Sequence, residues 1–190
     1  MNVKKIRSII YCSFFLLIAC NTSNENISNP SENESNWKNQ FNKKLPLLGH
    51  RNWILLVDKA FPEQNAAGIE YINANEQLLP TVEYVLGEIN KSTHVKPIIY
   101  QDKELNFITE EQSKGVTQFI QASKKIFAQQ QVQTILHDSV FSKLDKESKL
   151  FKVLVIKTNE TIPYTSVFMQ LDCSYWNAEK ENQLRLKMKY

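Results

Sequence analysis

Apolar residues along the chain fall either into short continuous runs or onto one helical face, and the two patterns alternate. Trp53–Val57 is a run of five apolar residues between a Gly49-His50 turn and an Asp58…Phe61-Pro62 stop, the pattern of a strand covered on both faces. The stretch 63–72, with Gly68, carries no clear period and reads as irregular. Leu79, Val82, Val85, Leu86 and Ile89 then share one helical face, with Pro80 tolerated in the first turn. Val95–Tyr100 predicts a strand from its β-branched content, at a sheet edge because Pro97 lacks a ladder donor. A second helix is expected over Val116–Phe127, and a third strand over Val132–Leu136, ending at His137. One or two helical turns follow in 138–146. Phe151–Ile156, rich in β-branched residues, predicts a central strand with Tyr164–Leu171 as its neighbour, and 177–188 predicts a helix whose contacts are Leu184, Leu186 and Met188. Strands alternating with helices at this spacing predict an α/β layered fold.

The N-terminus belongs to none of this. Lys4, Lys5 and Arg7 precede an apolar stretch over 9–19 and then Cys20, the order of a secretory signal peptide with residues 1–19 removed. Leu17-Ile18-Ala19-Cys20 resembles a bacterial lipobox, in which the cysteine becomes the lipidated first residue. Residues 20–36 are almost devoid of apolar side chains and predict a flexible tether, because such a segment cannot bury enough surface to offset its ordering entropy. The domain is then 37–190, and the expected location is the cell envelope, lipid-anchored to a membrane. Removal of residues 1–19 takes three positive charges from a net charge of +3 and leaves a neutral chain, so there is no electrostatic case for nucleic acid, which needs a basic face. Of the three cysteines, Cys12 is removed and Cys20 is lipidated. Cys173 is left alone, so no disulfide framework or cysteine metal site can form.

Candidate chemistry gathers at strand ends. His50 follows a glycine at the start of the first strand, and His137 ends the third with Asp138 as a charged neighbour; histidine is the usual proton carrier near neutral pH. Either could equally be structural. Asp58 closes the first strand, where it serves a turn or a ligand. Tyr164 and Ser166 open the last strand, where the tyrosine ring packs or its hydroxyl faces a polar site. His94 reads as a solvated loop residue. The histidines lack metal-ligand spacing, and with four glycines in the chain there is no phosphate loop.

In this order the motifs resemble those of the ribose pyranase and fucose mutarotase (RbsD/FucU-like) family. Gly49-His50, an apolar strand, Asp58 and Ala60-Phe61-Pro62 are similar to the family's opening signature. His137-Asp138-Ser139-Val140-Phe141 resembles its His…Phe piece, and 157–167 resembles its Arg-Thr-Gly-Glu turn followed by Pro-Tyr-x-Asn. The resemblance implies a single α/β layered domain with a central mixed β-sheet flanked by helices. It implies acid–base ring opening of a free monosaccharide, with no metal and no organic cofactor. His50 and His137 are then the catalytic proton carriers, and Asp58, Tyr164 and Ser166 the substrate-binding groups. A ring-shaped homo-oligomer with sites near subunit contacts is also implied. Arg51, Asn52 and Ser166 depart from the family pattern, and they favour the alternative of a non-catalytic carbohydrate-binding or envelope-assembly lipoprotein that uses the same pocket.

Overall fold

The computed structural model describes residues 36–188. The predicted signal peptide, Cys20 and all but the last residue of the predicted tether lie outside the described residues. Asn36 caps the first helix, its side-chain oxygen accepting from the Lys38 amide at 3.0 Å.

The described elements are helix α1 (Trp37–Lys44), strands β1 (Trp53–Val57) and β2 (Ile69–Asn73), helix α2 (Leu78–Lys91), strand β3 (Val95–Asp102), helix α3 (Val116–Ile126), strand β4 (Val132–Ile135), helix α4 (His137–Glu147), strands β5 (Val153–Lys157) and β6 (Val167–Cys173), and helix α5 (Ala178–Lys187). The six strands form one mixed sheet in the order β2-β5-β1-β6-β3-β4. Only β6 runs against its neighbours, pairing antiparallel with β1 and β3. The other five strands therefore end on the same edge of the sheet.

Each face of the sheet carries its own core. Ile54, Leu56, Leu154, Ile156, Val167 and Met169 point to one side and pack under α1, α2 and α3 through Phe41, Val82, Val85 and Phe119. Trp53, Leu55, Val57, Val153, Val155 and Phe168 point to the other, where α4 is the covering helix, through Val140 and Leu144. All five residues of β1 are buried because both faces are covered, as the continuous apolar run predicts.

The structure departs from the sequence expectations at five places. Residues 69–73, all but the last in the stretch read as irregular, form an outer strand parallel to β5 in which only Ile72 is fully buried. The strand with Pro97 is not an edge strand, but β4 joins it only from Ile99 onward, so on that side Pro97 has no ladder to break. Residues 167–173 pair with β1 and β3 and not with β5, because β1 lies between them. Helix α5 forms as predicted, yet Leu184, Leu186 and Met188 are exposed and none of its residues is buried. His94 is not a free loop residue either: its Nε2 lies 3.0 Å from the Leu48 carbonyl.

Glu70, on β2, is held by the ammonium groups of Lys44 and Lys152, the second at 2.9 Å. Lys44 first and Lys152 next pull its carboxyl down to about 2. A carboxylate depressed in the folded state stabilises the fold above its unfolded value and loses that contribution as pH falls towards 2. Because the pair is well exposed, the contribution is at most about 1 kcal/mol. Urea unfolding at pH 5 and near pH 2 should show wild type losing about that much more stability than Glu70→Gln.

Candidate functional site

The chemistry of the sheet collects where β1, β3, β4 and β5 end, the edge at which parallel sheets present ligand sites. A cleft of about 540 Å³ opens there. Its floor is the turn after β1 (Asp58–Pro62), one wall is the turn after β5 (Glu160–Tyr164), and the other is the start of α4, with His137 and Phe141.

Each wall is shaped by local hydrogen bonding. Asp58 folds its own turn, Oδ1 accepting from the Ala60 amide at 2.8 Å, the aspartate turn that this residue type favours. Its Oδ2 accepts from the Ser166 hydroxyl at 3.1 Å, while its backbone N–H donates to the same hydroxyl at 3.3 Å. The turn after β5 is tied to β1 through Thr158, whose amide and hydroxyl both reach the Val57 carbonyl. Glu160, 8% exposed, caps the next bend by accepting from the amides of Thr161 and Ile162. That bend leaves Tyr164 at φ +59°, a left-handed conformation uncommon for an aromatic residue and often found at functional positions.

His137 is the first residue of α4. Its backbone N–H donates to both oxygens of the Glu104 carboxylate at 3.1 and 3.2 Å, so an acid from the segment after β3 satisfies an otherwise orphan helix donor. Its ring Nδ1 lies 2.9 Å from Asp102 Oδ2. The rings of Phe141 and Tyr164 stand edge-on to the imidazole, at 4.8 and 5.2 Å between centroids, and Phe61 stacks on Phe141 at 5.6 Å. Asp102 is completely buried, and its Oδ1 has no hydrogen-bond partner among the described residues. Burial is the main reason its carboxyl is pushed up to about 6, against the lowering effect of His137; Glu104 and Asp58 add to the rise.

Of the residues expected from sequence, the structure thus brings together Asp58, His137, Tyr164 and Ser166. Ser166 is 2% exposed with its hydroxyl spent on Asp58, so its role here is to hold Asp58. His50 is not brought to the cleft of its own chain. It precedes β1 while Asp58 follows it, and five strand residues alone separate the two by roughly 15 Å. There its Nδ1 lies 3.0 Å from Asp172 Oδ1, Lys96 holds the other oxygen, and its side chain is 55% exposed. The charged neighbour of His137 is Asp102, 35 positions earlier, and not the exposed Asp138. Asp102, Glu104 and Glu160 went unread as site groups; the available signal was an acid ending a β-branched strand on the edge where parallel strands finish.

Fold and cleft define a small α/β protein with a histidine–carboxylate pocket at the ends of its parallel strands. The profile of the RbsD / FucU transport protein family matches residues 36–173, and the chain belongs to that family. The fold is similar to that of Bacillus subtilis RbsD complexed with D-ribose, at 19% identity over 69% of this chain and 89% of that one, with a TM-score of 0.50. More distant similarity is found to the fucose mutarotase of Streptococcus pneumoniae in complex with L-fucose, at 13% identity over 67% of this chain and 87% of that one, TM-score 0.47. FucU from Bifidobacterium longum is similar at 14% identity over 69% and 91%, TM-score 0.41. No curated protein sequence matches the chain.

A raised carboxyl destabilises the fold as pH increases. Between pH 3.8 and about 6 the native state holds a proton on Asp102 that the unfolded chain has released, so stability falls through this window by up to about 2–3 kcal/mol. Asp102→Asn should remove that slope and raise stability at pH 8 by about 1–3 kcal/mol, read from urea unfolding. Ser166→Ala should lower stability by about 1 kcal/mol, because it strips one partner from Asp58.

Proposed function

We propose that the chain is a monosaccharide mutarotase or pyranase of this family, carried on an exported lipoprotein. The observation that carries the reading is the assembly of His137, Asp58 and Tyr164 in one cleft by three separate segments of a chain that belongs to the RbsD/FucU family. The D-ribose bound to Bacillus subtilis RbsD supports a free sugar as the ligand class.

Ring opening needs two proton movements. The anomeric hydroxyl gives up a proton, the ring oxygen receives one, and the bond between the anomeric carbon and the ring oxygen breaks to leave the open-chain aldehyde. Closure from either face, or through a different hydroxyl, returns the other anomer or the other ring size. His137 suits one proton movement because imidazole is the usual proton carrier and, with its Nδ1 engaged by Asp102, its Nε2 is the nitrogen left to exchange a proton. Asp58 and Tyr164 supply an acceptor and a hydroxyl for the sugar.

His50 is the second carrier only if it comes from another copy, since it stands on the opposite edge of its own sheet. A ring in which one copy's His50 edge meets the next copy's cleft satisfies that requirement. On that edge His50 and Lys96 are both held by Asp172, and it is the exposed His50 ring that would have to reach the neighbouring copy's cleft. The basic and apolar N-terminal run and the Cys20 lipobox support export, lipidation at Cys20 and a location on the cell envelope.

Anomer exchange of D-ribose, L-fucose and related sugars, followed by NMR saturation transfer against the spontaneous rate, tests the reading. His137→Ala should lose the catalysed exchange by on the order of 10²-fold or down to the blank. If the wild-type protein gives only the blank rate with every sugar, the enzyme reading fails. Mixing His50→Ala with His137→Ala chains under conditions that exchange subunits should restore part of the rate, since some sites then draw both histidines from intact copies. No recovery would exclude His50 acting between copies.

A further inference from the structure

We propose that Asp102 is a positioning residue that holds His137 in its Nδ1–H tautomer, so that Nε2 alone exchanges protons in the cleft. The strand end carrying Asp102 lies behind α4, and its carboxylate oxygen meets His137 Nδ1 at 2.9 Å. An ionised carboxylate can only accept, so this contact requires the proton on Nδ1 and leaves Nε2 with its lone pair. Free imidazole has no such constraint, and the direction of the hydrogen bond at Nδ1 decides which of the two nitrogens carries the proton.

Three features separate this role from that of an ordinary core ion pair. First, Asp102 is fully buried and its second oxygen has no partner among the described residues; a carboxylate retained only for stability would have both oxygens satisfied, because an unpaired buried acceptor is destabilising. Second, the other groups around His137 fix the ring without specifying a tautomer. Glu104 holds the backbone amide, and Phe141 and Tyr164 box the imidazole on its edges. Third, the charged groups facing Asp102 besides His137 are the acids Glu104 and Asp58, which disfavour a third negative charge there. The fold therefore keeps a carboxylate at a position where packing and electrostatics both oppose it, and the contact it gains is the His137 ring.

The proposal deepens the proton-carrier reading of His137, and its first test does not depend on sugar chemistry. In ¹⁵N-labelled protein at pH 8, long-range ¹H–¹⁵N correlation of the imidazoles, with His137 assigned by its absence from His137→Gln, should show a protonated Nδ1 and an unprotonated Nε2. Finding the Nε2–H form in wild type would overturn the proposal, whatever the variants do. Asp102→Leu should lose the excess of the Nδ1–H form. Its exchange rate at saturating sugar should fall at least about tenfold with KM moved less than about twofold. An unchanged tautomer in Asp102→Leu, which offers no acceptor, also overturns the proposal. A changed tautomer in a protein that accelerates no sugar would uphold the positioning role while removing the mutarotase reading. Should Asp102→Leu fail to fold, the wild-type tautomer decides alone.

Discussion

Strand β1 is the constraint on which the rest depends. It is buried on both faces and paired on both edges, parallel to β5 and antiparallel to β6. A strand so enclosed can slip by neither one residue nor two without exposing an apolar face or unpairing its ladder. Its end is therefore fixed in space, and Asp58 with it. The neighbours are then drawn to that end: Thr158 after β5 bonds the Val57 carbonyl, and Ser166 before β6 bonds the Asp58 carboxylate. One strand end thus sets the floor of the cleft and ties down the turn that forms its wall.

The two faces of the sheet are unequally covered, and the site follows from that inequality. One face is packed under α1, α2 and α3, whereas on the other α4 is the covering helix. The cleft opens at the start of α4, where the cover ends, and the first residue of that helix is His137. A buried carboxylate behind a half-exposed imidazole is costly to the fold, as the upward displacement of Asp102 indicates. Proteins tolerate such local conflicts chiefly where function requires them.

Asn52, Arg51 and Ser166 have structural roles in this chain. The Asn52 side chain accepts from the Gly49 amide at 2.6 Å and closes the turn that presents His50, with Arg51 taking the left-handed conformation at φ +72°. Ser166 is turned inward onto Asp58. Asn52 holds the turn that presents His50, and the Ser166 hydroxyl is engaged by Asp58.

Elements whose signal is local were legible from the chain. The five-residue apolar run of β1, the helical face of α2 and the Gly-His, His…Phe and Pro-Tyr motifs each depend on residues a few positions apart, where backbone geometry alone converts spacing into a surface. The half-buried strand 69–73 was not legible, because an outer strand alternates weakly and owes its existence to the β5 edge it joins. Nor was Asp102 legible as the partner of His137, since the contact spans 35 positions and depends on β3 and β4 lying side by side. The same holds for the separation of His50 from Asp58, which are close in sequence and stand at opposite ends of a rigid strand. The sequence by itself determined the layered class, the main buried strand and the residue types available for proton chemistry, because those follow from local period and composition. Which carboxylate meets which histidine, and which histidine reaches the cleft at all, was decided by the strand order, because a hydrogen bond of 2.9 Å depends on position in space and not on distance along the chain.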